Sequence, residues 1–203
     1  MTLGTYEQDN VEMTGEEPIR WRVLEVQGDR VLLLSEKILA YRNFDASNNT
    51  WEDSSLRTWL NGEFRQAAFS EEEMQCLMLL TQYNNTNKSI SSKLRDEADT
   101  EDYVFLLNLG EAIRYFSSVA DSKAEHTDYA WSHNGARNNS DRTKYANCWW
   151  LRVPYGYDYV VYMPFSKYEG DSQSFSAIDN SYAGVGVRPA IWVDLTKIIE
   201  MTR

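Results

Sequence analysis

The residues best suited to chemistry lie between Tyr155 and Tyr182, where Tyr, Ser and Asp dominate and aliphatic side chains are few. Tyr155, Tyr157, Asp158, Tyr159, Tyr162, Tyr168, Asp171, Asp179, Asn180 and Tyr182 are the candidate ligand-binding residues. Tyrosine offers a large contact area at low entropy cost, and Ser, Asn and Gly add adaptable hydrogen bonding. The chemistry implied is recognition of a protein or glycan ligand rather than bond breaking. The plain alternative is a polar, aromatic antiparallel hairpin that only covers the core, since Tyr is also a good strand former.

The reactive residue types elsewhere argue against catalysis. His126 and His133 lie seven apart in a polar stretch and form no helical ligand pair. Cys76 and Cys148 make neither a disulfide framework nor a zinc site. They read as buried free thiols, with a single bridge left open, and a thiol in apolar surroundings is inert. No Gly-x-Ser-x-Gly elbow occurs, and neither Asn134-Gly135-Ala136-Arg137 nor Gly184-Val185-Gly186 has the spacing of a phosphate loop. The acidic runs 71–73 and 99–102 read as helix N-terminal charge and solvated loop. The expectation is a non-enzyme with no catalytic residue, no metal and no cofactor; calcium held by loop oxygens stays open.

Two strand-like segments must position the recognition stretch. The first is Cys148-Trp149-Trp150-Leu151-Arg152-Val153-Pro154 and the second Gly184-Val185-Gly186-Val187-Arg188-Pro189-Ala190-Ile191-Trp192-Val193. Trp149, Trp150, Arg152, Arg188 and Trp192 are read as the buried frame. An arginine in an apolar strand needs a partner, so Arg152 and Arg188 are read as anchors for carboxylates or loop carbonyls, with a ligand contact as the alternative.

Upstream, strict alternation from Ile19, a turn at Gln27-Gly28-Asp29 and the apolar run Val31-Leu32-Leu33-Leu34 predict a β-hairpin. Residues 43–50 read as loop. Trp51, Leu56, Trp59, Leu60 and Phe64 fall at helical spacing, with Asp53 or Ser54 as cap and a weak point at Asn61-Gly62. Ser70 and Glu73 form a capping box that opens a second helix with Met74, Leu77, Met78 and Leu80 on its core face. Residues 81–101 read as a polar surface loop or insertion, 102–107 as a buried strand, Asn108 and Glu111 as a second capping box, and 117–145 as irregular.

Composition sets outer bounds. The chain has 203 residues, 42% hydrophobic and 13% aromatic, enough for a sizeable core in one domain. Its net charge of -11 repels phosphate backbones, which disfavours nucleic-acid partners. No apolar run approaches a membrane span, so membrane insertion is not expected. The N-terminal residues do not form a signal peptide, and the compartment is left unknown.

The order of motifs carries a resemblance. It runs from Ile19-Arg20-Trp21-Arg22-Val23-Leu24 through Trp51-Glu52, Leu56-Arg57-Thr58-Trp59-Leu60-Asn61 and Val104-Phe105-Leu106-Leu107 to Trp149-Trp150-Leu151-Arg152 and Gly186-Val187-Arg188-Pro189-Ala190-Ile191-Trp192. This resembles a bacterial domain family of unknown function, over nearly the whole chain. That family looks like a divergent branch of the C-type-lectin-like fold seen in formylglycine-generating enzymes. The resemblance implies an α+β domain over residues 1–203, with antiparallel sheets, a few flanking helices and much irregular loop. It does not carry the catalysis: the enzymes' paired cysteines have no counterpart here, and the three histidines of the related sulfoxide synthases are two. The stretch 149–192 is also similar to the variable region of diversity-generating retroelement proteins, which use the same fold. The resemblance thus implies a ligand-binding module, diversified or not. An enzyme of the formylglycine-generating (sulfatase-modifying) kind and a structural domain of a surface or phage assembly are the alternatives.

Overall fold

The computed structural model describes residues 1–11, 13–86, 88–167 and 173–202. The N-terminal strand β1 (Thr2–Tyr6) is followed by the hairpin of β2 (Glu17–Gln27) and β3 (Arg30–Ser35). The alternation seen in the sequence puts Ile19 and Trp21 into the core and leaves Arg20 outside. Gly28 makes the turn at φ +60°, a region unfavourable to residues with a Cβ. A short β4 (Ala40–Tyr41) comes next.

The aromatic helical stretch differs in detail from its pattern. Trp51 precedes the helix, and α1 (Ser55–Trp59) starts after Ser54, whose side chain accepts from Arg57 N. At the expected weak point the helix widens into a π-helical turn (Leu60–Phe64) and then resumes as α2 (Arg65–Ala68). Asn61 sits in that turn and makes all its hydrogen bonds to another part of the chain or to its own helix. Its Nδ2 donates to Val104 O (2.9 Å), and its Oδ1 accepts from Tyr103 N and Val104 N (2.9 and 3.2 Å). A π turn here serves to dock a distant strand.

The Ser70–Glu73 capping box is formed, yet α3 (Glu71–Cys76) stops at Cys76. The helical face expected to continue through Met78 and Leu80 is broken, because Met78 N donates to Trp192 O and Leu80 enters β5 (Leu80–Gln82). β6 (Thr100–Asp102) pairs with β5, so the polar loop between them is closed at its root. β7 (Val104–Phe105) leads through the Asn108–Glu111 capping box into α4 (Leu109–Tyr115). The region expected to be irregular holds three short helices, α5 (Val119–Ser122), α6 (Asp128–Ser132) and α7 (Asn139–Lys144). Ser118, Thr127 and Asn138 cap them. Their shortness gives no helical periodicity to read, which is why composition suggested loop.

Most of the described residues between 155 and 182 lie in an antiparallel meander of β8 (Trp149–Tyr155), β9 (Tyr159–Lys167) and β10 (Gln173–Asp179). β11 (Gly186–Val187), β12 (Ala190–Asp194) and α8 (Leu195–Met201) complete the chain. One five-stranded sheet has the order β1-β2-β3-β12-β7 and a second β10-β9-β8-β11-β4, with β5 and β6 forming a separate two-stranded sheet. The architecture is mixed α+β, mostly antiparallel, with few and short helices. The two strand-like bookends separate: β8 and β11 lie in one sheet and β12 in the other. Gly186 is required where β11 meets β8 in parallel, since a Cβ there would fall 2.5 Å from Ile38 and 2.8 Å from Cys148 O. Among the described residues, no helix is long and apolar enough to cross a membrane.

Arg152 joins the pieces. Its side chain is fully buried in β8, and its guanidinium meets both oxygens of Glu111 at 2.8 and 2.9 Å. It also donates from Nε to Asn84 Oδ1 (2.9 Å), donates to Leu106 O, and lies over the Phe105 ring. Removing one partner from a buried pair strands the other charge. Glu111→Ala should therefore cost about 3–5 kcal/mol of stability, measured by urea unfolding; a loss below about 1 kcal/mol, the size expected of an exposed pair, would contradict this role.

Candidate functional site

The β8–β9 turn is where the recognition residues reach solvent. Tyr155 pairs with Tyr159, and Gly156 takes φ +67° in the turn between them. Tyr157 is 85% exposed, Tyr159 is 49% exposed, and Asp158 is exposed. Tyr155 is half-buried, edge-on to Phe175 at 5.6 Å.

Three distant segments fasten this tip through its backbone. From 93–95, Gly156 N donates to Lys93 O (2.9 Å) and Arg95 N to Pro154 O (3.3 Å), with Leu94 bridging Tyr155. From 48–49, Asn49 Nδ2 donates to Gly156 O and Tyr159 O at 3.2 and 3.1 Å. From the end of β10, Asn180 N donates to Asp158 O (2.9 Å) and Asn180 Nδ2 to Asn48 O (2.8 Å). Leu94, Asn49 and Asn180 are buried, so the fastening is under the surface. The turn backbone is thereby fixed while the Tyr157, Asp158 and Tyr159 side chains stay outside. Arg95 lies over the Tyr157 ring at 5.6 Å and Lys93 over the Tyr155 ring at 5.6 Å, adding two cations to the tip.

The support beneath is also preorganised. Burial raises the Asp45 carboxyl, but backbone N–H donors from Ser47, Ser55 and Asn48 outweigh it and hold the group below its ordinary range. Asp45 thus fixes the 45–49 loop that carries Asn49, a device that lets loop side chains act as rigid parts.

The remaining candidates divide. Asp179 is half-buried and held down in pKa by the side-chain and backbone hydrogen bonds of Ser181. Tyr162 is half-buried, and Tyr182 is only 5% exposed, both edge-on to Tyr145 at 5.7 and 5.2 Å. Burial pushes the Tyr182 hydroxyl up to about 12. Asn180 and Tyr182 are therefore removed from the exposed set. Asn180 turns inward because its amide caps two loops, and Tyr182 because its ring packs against Gly184 and Tyr145. Tyr168 and Asp171 lie outside the described residues. Of the frame, Trp149 and Trp150 are fully buried, Arg152 and Arg188 are buried, and Trp192 is half-buried. Arg188 donates to Ser35 O (2.6 Å) and lies over Trp149 and Phe116; burial lowers it to about 10.

Sequence reasoning did not find Asn49, Lys93 or Arg95. Their motifs are ordinary loop composition, and Asn49 lies 107 residues from Gly156 along the chain. Nor did it find Glu7, Asp9 and Glu17, whose carboxylates come within 4.8 Å of one another. Glu17 there accepts from Gln8 N and Asp9 N, and Asp9 from Val11 N, so these groups close their own turn. His126 stacks on Trp131 at 4.5 Å, and His133 packs on Tyr129.

Three titratable groups stand out. Cys148 is buried and free, and burial pushes its thiol up to about 12 against the pull of Lys123 and Lys144. Cys76 is also free and raised by burial. Glu97, at the root of the 83–99 loop, is raised to about 7 by burial, with Glu52 and Asp53 adding to the shift. Its Oε2 accepts from Trp51 N (2.8 Å), and its Oε1 is buried with no partner among the described residues.

A family model described as "Domain of unknown function (DUF6273)" matches residues 28–195. The match takes in the turn of the first hairpin, the Arg152–Glu111 pair and the whole tip with its fastenings. No curated protein and no solved structure matches.

Two outcomes are expected. Cys148 should alkylate far more slowly in the native protein than in urea, because the thiolate is the reactive form; rapid native labelling would restore it as a candidate nucleophile. A carboxyl raised in the folded state costs stability once it ionises. Stability from Glu97 is fully present below its ordinary value of 4.5, falls as pH rises and is lost through about 7. Glu97→Gln should flatten that part of the thermal stability profile, and an unchanged profile would show that the carboxyl is not the cause.

Proposed function

The chain belongs to the DUF6273 family of domains, and on that premise we propose that it is a non-catalytic ligand-binding module with a C-type-lectin-like fold. The observation that carries this reading is the exposed Tyr157-Asp158-Tyr159 turn, whose backbone is fastened from three separate segments. Binding entropy is smallest when the contact side chains sit on a backbone already fixed. Exposed tyrosines with flanking cations on an exposed turn suit the face of a macromolecule, a protein or a glycan, better than a small molecule enclosed in a cleft.

The fold assignment draws support from the topology. β12 returns to β3, so the two ends of the chain share a sheet, and the second sheet and most loops are carried between them. That is the arrangement expected of a C-type-lectin-like domain. The non-catalytic part draws support from the thiols, both buried and both held in the unreactive form. The enzyme and assembly-domain alternatives gain no comparable feature.

Diversification by a retroelement belongs to the same proposal. Its natural positions are Tyr157, Asp158 and Tyr159, where side chains change without touching the core. Comparison of the 3′ end of the gene with a nearby near-repeat tests this: differences confined to template adenines support it, and no such repeat removes it.

The binding role is tested with Tyr157→Ser/Tyr159→Ser. Exposed substitutions usually stay within about 0.5 kcal/mol, so thermal unfolding should be nearly unchanged. A panel of glycans and of purified surface proteins, screened with both proteins, should yield a binder that the double variant loses. A binder kept by the double variant places recognition elsewhere.

A further inference from the structure

The loop that holds the tip has a titratable group at its root. Glu97 N donates to Asn84 O, and Asn84 is in turn held by Arg152. Two residues before Glu97, Arg95 reaches the tip through its side chain, with Nη1 donating to Gly156 O at 3.3 Å and its guanidinium over Tyr157 at 5.6 Å. Both contacts are long, and Arg95 is exposed and in no ion pair among the described residues. Glu97 has one oxygen engaged by Trp51 N–H and the other buried and unpartnered.

We propose that Glu97 is a proton-operated latch on the Tyr157 ring: neutral, it leaves Arg95 on Gly156 O and Tyr157, and ionised, it draws Arg95 away and frees the ring, while Lys93, Asn49 and Asn180 keep the tip backbone fastened. The meaning of the latch for binding rests on the recognition reading given above; the latch itself does not. The physical reason is competition for one cation. A backbone carbonyl and a ring quadrupole hold Arg95 weakly at the surface. A carboxylate with an unsatisfied oxygen in a half-buried site attracts the same guanidinium more strongly, because charge-assisted bonds are the stronger kind.

Burial sets where this happens, opposed by the Trp51 N–H, and the neighbouring charges adjust it. Glu52 and Asp53, on the turn before α1, disfavour the carboxylate, and Arg95 favours it. Asp102 on β6 is occupied by Arg57, the Trp51 indole and Thr100. Asp96 is taken by Lys88 and Thr86, and Asp99 by Asn84 N. The balance leaves the group titrating at about 7.

The experiment follows the Tyr157 ring resonances, assigned with Tyr157→Phe. The scan runs from roughly pH 5 to 9. The ring shift should change with a midpoint at about 7. Glu97→Gln should hold the low-pH state throughout, and Arg95→Gln the released state throughout. Glu52→Gln, which removes a like charge, should lower the midpoint and provides the check if Glu97→Gln does not fold. A wild-type tip unchanged across the scan, a transition that survives Glu97→Gln, or a midpoint unmoved by Glu52→Gln overturns the latch. No partner is needed, so a working latch on a tip that binds nothing would remove only the recognition reading.

Discussion

A buried guanidinium cannot be left alone, and the rest of the structure is arranged around satisfying the one on Arg152. Glu111 supplies the carboxylate, and the same carboxylate also accepts from Asn108 N as half of the capping box of α4. One side chain therefore starts a helix and neutralises a strand. Asn84 accepts the third guanidinium bond, which draws the start of the 83–99 loop against β8. Such a pair contributes little net stability over an apolar replacement, but it admits few alternative arrangements. Its consequence is positional: β8, α4 and the loop are locked together at the base of the tip.

The aromatic content works in the same direction. Trp21, Trp51, Trp149 and Trp150 are buried, and each indole N–H finds an acceptor in another segment: Leu3 O, Asp102, Ser122 O and Arg42 O. Each of these rings fills core volume and at the same time ties down a loop or strand end. A chain with short helices and narrow sheets needs such ties, because few of its elements are long enough to be held by their own periodic contacts. The tip inherits this rigidity. Its tyrosines are exposed without being loose, which separates the job of holding shape from the job of making contact.

Much of the local structure was legible from the residues. The β2–β3 hairpin follows from alternation and a glycine turn. Both capping boxes follow from a three-residue spacing, and the weak point at Asn61-Gly62, where the helix widens, from a known weak pair. These signals are short-range, so a window of sequence contains both partners. The short helices between 119 and 144 escaped because one or two turns show no period. The end of α3 escaped because Trp192, more than a hundred residues away, competes for its backbone.

What the residues determined by themselves was the chemistry on offer: a Tyr- and Asp-rich stretch, two arginines that must be paired and two thiols in apolar settings. What only the tertiary structure decided was which of these face water. Tyr157 and Tyr182 are the same residue in the same compositional stretch, yet one is 85% exposed and the other 5%. The difference lies in partners remote in sequence. Lys93, Asn49 and Asn180 hold the turn so that Tyr157 projects, while Gly184 and Tyr145 leave a slot that the Tyr182 ring fills. Burial depends on three-dimensional neighbours, and composition within a segment contains no information about them.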